Sequence, residues 1–222
     1  EMTSALAALF NEARTLWSPF LQRRERLREG ESDTPITRRW IAELLELLDY
    51  SLTLNRTAYQ LGGSSFFVSH RAGDAEFAPP VHIVGASQDL DRSDPRVEQR
   101  RAPHTLLQEF LNRSDALWGI VTNGLTLRLL RDSARLRKLA YLEFDLQAIF
   151  EGQQFDAFVL LYRLLHRSRL PESDADAHQC LLEQYYQHAL EQGGRVREKL
   201  RDGVERALTL LANGFLGQGE WR

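Results

Sequence analysis

Acidic side chains fall at three places where a divalent cation could use them. Glu43 and Glu46 lie on an apolar-striped segment, Asp74 and Glu76 in a turn-like stretch, and Asp89 and Asp91 just after an apolar run. Carboxylate oxygens suit hard cations such as Mg²⁺, yet acids are also what turns and helix surfaces carry in any soluble protein. His70, His82 and His104 are the histidines nearest these acids, and a lone histidine is more often a core or capping residue than a ligand. No Ser-His-Asp pattern sits in a nucleophile turn, and no Cys/His spacing predicts zinc. Cys180, between Gln179 and Leu181 on a helical stretch, reads as a small buried apolar residue. No resident metal is expected.

Charge gives the second chemical signal. The chain is net −3, so it has no global field to steer it toward nucleic acid. Locally the balance reverses: ten basic residues against five acidic ones lie between Arg92 and Lys138. That excess has the form of a strip that follows phosphates, and also of solvated or paired charges at strand ends. All basic residues except Lys138 and Lys199 are arginine. The guanidinium fork matches phosphate oxygens, although a GC-rich coding sequence produces the same bias, and usage alone favours that explanation.

The elements that must position these residues follow from periodicity. Residues 3–28 form an amphipathic helix interrupted by Pro19, and Gly30 closes it. Asp33 or Thr34 caps a second helix, with Pro35 in its first turn and Trp40, Ile41, Leu44, Leu45 and Leu48 on its apolar stripe. Gly62-Gly63 then breaks the pattern. A β-rich run over 65–70 and a second over 81–85 predict a hairpin. Residues 86–103 read as a long polar loop, and 104–113 as a helix. Asn123-Gly124 between two β-rich runs is the strongest hairpin signal, because both residues tolerate positive φ. A last strand spans about 138–144, followed by helices over 145–151, 154–168, 175–192 and 195–216.

Size and composition agree with one large domain bearing a helical extension: 222 residues, 43% hydrophobic and 27% charged. The single cysteine excludes an internal disulfide, and a reducing cytoplasm fits. No stretch is apolar enough for a membrane span, and the first residues lack the order of a signal peptide. The apolar run after Gly214 suggests a piece of a longer protein. The expected fold is α+β (α/β), with a mixed central sheet flanked by helices and helical extensions at both ends. The expected domains are an N-terminal helix over 1–34, a core over 35–150 and a C-terminal helical extension over 151–222.

The wording of the middle segment carries a resemblance. His104-Thr-Leu-Leu-Gln-Glu-Phe-Leu-Asn-Arg, then Trp118-Gly-Ile-Val-Thr-Asn-Gly-Leu-Thr-Leu-Arg-Leu-Leu-Arg131, resembles the N-terminal nuclease domain of type I restriction motor subunits. It resembles more closely the front of single-chain, type IIG-like restriction–modification proteins and their relatives in phage defence. Leu111 to Asp115 matches their Leu-Asn-Arg-Ser/Thr-Asp motif, and Tyr141 to Glu151 also looks like theirs. The similarity covers about residues 36–170. It implies a restriction-endonuclease-like PD-(D/E)XK core and, in the parent protein, an adenine-specific methyltransferase using S-adenosylmethionine. This chain holds neither a Gly-rich cofactor loop nor an Asn/Asp-Pro-Pro-Tyr/Phe motif, so methyl transfer is not expected of it.

By the same resemblance, cutting DNA requires an acid on the first hairpin strand and Glu/Asp-x-Lys on the second, with Mg²⁺ between carboxylates. The first acid falls near Ser64-Ser65, the second on Gly85 and the lysine on Ser87. All three slots are degenerate. The expectation is therefore a catalytically inactive, nuclease-like domain that needs no cofactor itself and assists DNA binding or domain packing. Its expected partners are double-stranded DNA and downstream methyltransferase and helical domains, with no membrane. The enzyme alternative is an Mg²⁺-dependent endonuclease with a displaced site built from Glu46, Asp89 and Asp91. The other alternative is a purely structural interaction module. Arg92, Arg96, Arg100, Arg101 and Arg113 are the expected DNA contacts, through backbone phosphate.

Overall fold

The chain is described here from a computed structural model over residues 2–75, 78–93, 101–132, 141–172 and 176–217, excluding the side chains of residue 2 and of 210–217. Helix α1 (Met2–Glu25) runs unbroken through Pro19. It packs along α2 (Thr34–Glu46), which has Pro35 in its first turn as the sequence predicts. Strands β1 (Thr53–Leu54), β4 (His70–Arg71), β5 (Pro80–Ile83), β6 (Trp118–Thr122), β7 (Thr126–Arg131) and β8 (Tyr141–Asp145) form a six-stranded sheet in the order β1-β4-β5-β6-β7-β8. Only β5 and β6 are parallel; helix α3 (Pro103–Leu111) lies between them in sequence. The mixed sheet flanked by helices is the expected α+β class.

The first expected hairpin forms, but not where the β-rich run begins. Ser64–Phe66 is strand β3, which pairs with β2 (Tyr59–Leu61) in a separate two-stranded sheet around Gly62-Gly63. The strand that pairs with β5 is β4, with His70 opposite Val81. One apolar run thus serves two sheets. Phe66 and Val68 bury into the core while Ser69 uses its hydroxyl at the β4–β5 junction, donating to Val81 O and accepting from Ile83 N. On one side, α3 presents Leu106, Leu107, Phe110 and Leu111 to Val84, Val121 and Leu130. Val84 continues β5, and alternation along β6 and β7 places Val121 and Leu130 on one face.

A second core is aromatic. Trp17 and Phe20 of α1, Trp40 of α2, Phe150 of α4 (Leu146–Glu151) and Phe158 of α5 (Phe155–Leu165) approach with ring centroids 5.3–6.2 Å apart. Such offset and edge contacts add to the burial of the rings themselves. Trp40 Nε1 donates to Gly124 O at 3.0 Å, clamping the β6–β7 turn to α2. Gly124 has φ +80°, and a Cβ there would lie 2.7 Å from Thr37 Cγ2. Both backbone shape and space demand glycine.

Two compact units divide the chain, 1–180 and 181–222. The first continues past residue 150, through α4, α5 and a short 3-10 turn (Arg167–Arg169), to Cys180, which is buried. The second contains helix α6 (Leu181–Gly217), continuous where the sequence suggests two helices over 175–192 and 195–216. Gly193-Gly194 does not break it. Among the described residues no helix is long and apolar enough to cross a membrane.

Candidate functional site at the strand ends

The ends of β5 and β6 meet the start of α2 and the loop after β5, and here the sequence-flagged residues gather. Open parallel strands commonly place ligand sites beyond their carboxyl ends. Gly85 and Ser87 lie in the loop leaving β5. The side chain standing beside Gly85 is Asp33, the residue preceding α2: a Cβ on Gly85 would overlap the Asp33 carboxylate and would come 2.9 Å from Thr34 Oγ1. Asp33 is 8% exposed, and it does not cap its own helix as the sequence suggests. Its Oδ2 instead accepts from Ser87 N at 2.7 Å and its Oδ1 from Ser87 Oγ at 3.2 Å. Thr37 completes the junction, accepting from Ala86 N at 3.2 Å and donating to Asp33 O at 3.0 Å. The glycine therefore leaves room for a carboxylate from another element, and that carboxylate is occupied in holding the loop.

On the other side of Ser87 opens a polar cleft of about 410 Å³, lined by Gln88, Asp89, Asn123, Thr126, Arg128 and Glu143 among others. Asn123 shapes one wall: Nδ2 donates to Gln88 O, and Oδ1 accepts from the amides of Leu125 and Thr126. Arg128 forms the floor with 8% of its side chain exposed. It grips Asp91 with two parallel hydrogen bonds of 2.6 and 2.8 Å, and Glu143 with one of 2.6 Å. It also donates to His104 Nδ1 at 3.2 Å and lies 4.8 Å from the Tyr141 ring centroid. The hydrogen bonds that Arg128 donates to Asp91 raise the Arg128 pKa and hold the Asp91 carboxyl below its usual range. Burial, then the Arg128 charge, lowers the pKa of His104 and keeps its ring neutral as an acceptor.

The acids considered for a displaced metal site do not converge. Glu46 is exposed at the far end of α2, about 18 Å along the helix from Thr34 at 1.5 Å per residue. Asp89 accepts from Asp91 N at 2.8 Å and faces Arg92 at 3.6 Å, while Asp91 is taken up by Arg128. Among the described residues no three His, Cys, Asp or Glu side chains are grouped to hold an ion. A divalent cation needs several oxygens around one point, and this donor set, spread out and hydrogen-bonded elsewhere, does not fit one. Ser65, where the resemblance puts the acid of the first hairpin strand, is exposed on the small β2–β3 sheet and accepts from Gln60 Nε2.

The arginines also separate. Arg92 is 85% exposed. Arg101 pairs with Glu109 at 3.4 Å, and its guanidinium lies 5.0 Å from the Phe66 ring centroid. Arg113 approaches the same ring at 5.7 Å and donates to Ser64 Oγ. Both tie α3's surroundings to the small sheet as well as carrying charge. Arg96 and Arg100 lie outside the described residues.

Sequence reasoning assigned neither Asp33 nor Arg128 its part. Nothing at Asp33 marks it beyond a helix start, and Arg128 counts in sequence as one more cation in a basic stretch. A different buried polar group forms at β4–β5. His82 Nδ1 accepts from Ser69 N, and burial, followed by the charge of Arg38, pushes His82 and His70 each down to about 4. Comparison with protein-family models, curated proteins and solved structures returned no match.

Proposed function

We propose that this chain is the nuclease-like, non-cleaving front domain of a larger restriction–modification-type DNA methyltransferase, where it helps to hold DNA or packs against the rest of that protein in phage defence. One observation carries the reading. The slot at Gly85, where the resemblance puts a metal-binding acid, receives the Asp33 carboxylate, and both of its oxygens are hydrogen-bonded to Ser87. That carboxylate is engaged in fixing the loop, and among the described residues no group of three acidic, histidine or cysteine side chains stands together to complete an ion's ligand set. The order helix, hairpin, helix, hairpin on a mixed sheet agrees with the resemblance. Double-stranded DNA is the partner, with backbone phosphate contacted by Arg92, Arg96 and Arg100 and, in part, Arg101 and Arg113. Neither Mg²⁺ nor S-adenosylmethionine acts in this chain; the latter serves the parent's methyltransferase.

The test incubates the chain with supercoiled plasmid and Mg²⁺ or Mn²⁺, and separately titrates duplex DNA at increasing salt. The expected results are no nicking, and binding whose log K falls linearly with log salt. Nicking that disappears in Asp33→Asn would make Asp33 a borrowed ligand and reverse the assignment. Failure to bind duplex at low salt would leave only the packing role.

A further inference from the structure

Helix α6 has an apolar face that nothing among the described residues of its own unit covers. Leu190, Val196, Leu200, Val204 and Leu208 are 51–65% exposed. At about 100° per residue they fall within roughly 80° of Leu200, together with Ala189, Gly193, Gly203 and Ala207. Each glycine weakens a solitary helix relative to alanine. A Cβ on Gly193 or Gly203 would meet nothing, so neither is required by its present surroundings. Small residues on an apolar face let another backbone come close.

Charge narrows what can come close. Arg197 falls inside that sector, at roughly 60° from Leu200, and Lys199, Arg201 and Arg206 flank it at roughly 100–120°, one on one side and two on the other. Glu191, Glu198, Asp202 and Glu205 are gathered at roughly 140–180°, on the opposite pole. The helix's own ion pairs are long and exposed, at 3.8 Å for both Arg195–Glu191 and Arg201–Glu205, so the basic rim remains open to a partner. A second copy of α6 would set basic rim against basic rim. A lipid surface favours bulky side chains along the whole apolar side and a basic polar pole; here glycine and alanine are interspersed among the leucines and valines, and the pole carries four acids to one arginine, Arg195.

We propose that α6 is a docking helix whose apolar face closes against another helical surface rimmed by acidic side chains. Small residues admit the partner's backbone, the leucines and valines are buried, and the two rims pair. This rests on α6 alone and stands whether or not the first unit holds DNA.

The test uses the full chain and two synthetic amphipathic helices of about four heptads, alike in an Ala/Leu seam but rimmed by Glu in one and Lys in the other. Binding is read by fluorescence anisotropy, with sedimentation of the chain alone and co-flotation with phosphatidylcholine–phosphatidylglycerol vesicles. The expected result is binding of the Glu-rimmed helix about tenfold or more tighter than the Lys-rimmed one, with the ratio shrinking as salt rises. Leu200→Glu should abolish binding. Lys199→Glu with Arg206→Glu, which keeps the apolar face and the helix (checked by circular dichroism), should reverse the preference. Equal affinity for both helices, no binding of either, self-association at micromolar concentration or flotation with vesicles would each overturn the proposal.

Discussion

The strand-end junction of the first unit and helix α6 of the second handle polar and apolar groups in opposite ways. At the junction nearly every charged group in view is saturated. Asp33 is spent on Ser87, and Asp91 and Glu143 on Arg128, whose remaining contacts go to His104 and Tyr141. Along α6 the charges are loosely paired and five leucine and valine side chains are exposed. A buried charge without partners is costly, so the junction must be internally complete. An exposed amphipathic helix is under no such constraint, and its open face makes sense as one half of an interface. Saturation argues for a structural role, and openness for a binding one.

The largest test of that contrast is Gly85→Glu. It forces a side chain and a second negative charge into the space of the Asp33 carboxylate, and should cost about 3 kcal/mol or more of stability in urea denaturation. Moving the carboxylate back to the strand, with Gly85→Asp and Asp33→Gly together, should recover part of the loss. Full tolerance of Gly85→Glu would mean that the junction is not closed.

Arg128 gives the next largest effect, and an asymmetric one. Replacing Asp91 and Glu143 together by alanine leaves a buried guanidinium without its two counter-charges, a loss of about 3–5 kcal/mol. Arg128→Met should cost only about 1–2 kcal/mol, because the carboxylates left behind are 61% and 45% exposed and can hydrate. Equal losses in thermal denaturation would show that the cluster is not organised around the buried cation.

Acid supplies a third test. His82 and His70 titrate near 4 in the fold, against about 6.5 for an unfolded chain. Between those values the unfolded state binds more protons, so stability present above pH 6.5 drains away as pH falls toward 4. Replacing His82 by Gln should flatten that decline in a series of melting curves, and an unchanged slope would assign the acid sensitivity elsewhere. The smallest effect is expected on α6. Leu200→Ser should change the stability of the chain by less than about 0.5 kcal/mol, since its side chain is 65% exposed. A large drop would show that the helix face is already in use.

Much of the fold was legible because it rests on local rules. The start of α2 with Pro35 in its first turn, the Asn123-Gly124 turn between β6 and β7 and the apolar stripe of α3 follow from φ preferences and periodicity, which neighbours in sequence decide. The division of residues 64–71 between two sheets was not legible. An alternating run says which residues bury and leaves open which strand they pair with. Gly193-Gly194 likewise looks like a break, yet glycine only lowers helix propensity and α6 passes through it.

For the candidate site the sequence by itself determined the residue types at the places that the resemblance singles out, glycine at 85 and serine at 87, and a surplus of basic residues between 92 and 138. Tertiary structure alone decided what fills those places. Asp33 reaches Gly85 across 52 residues of chain, and Arg128 leaves the basic stretch to become a buried hub, whereas Glu46 stays exposed at the other end of α2. The physical reason is that hydrogen bonding and charge pairing act through space over a few ångströms. Sequence separation carries no record of which distant groups will be folded to within that range.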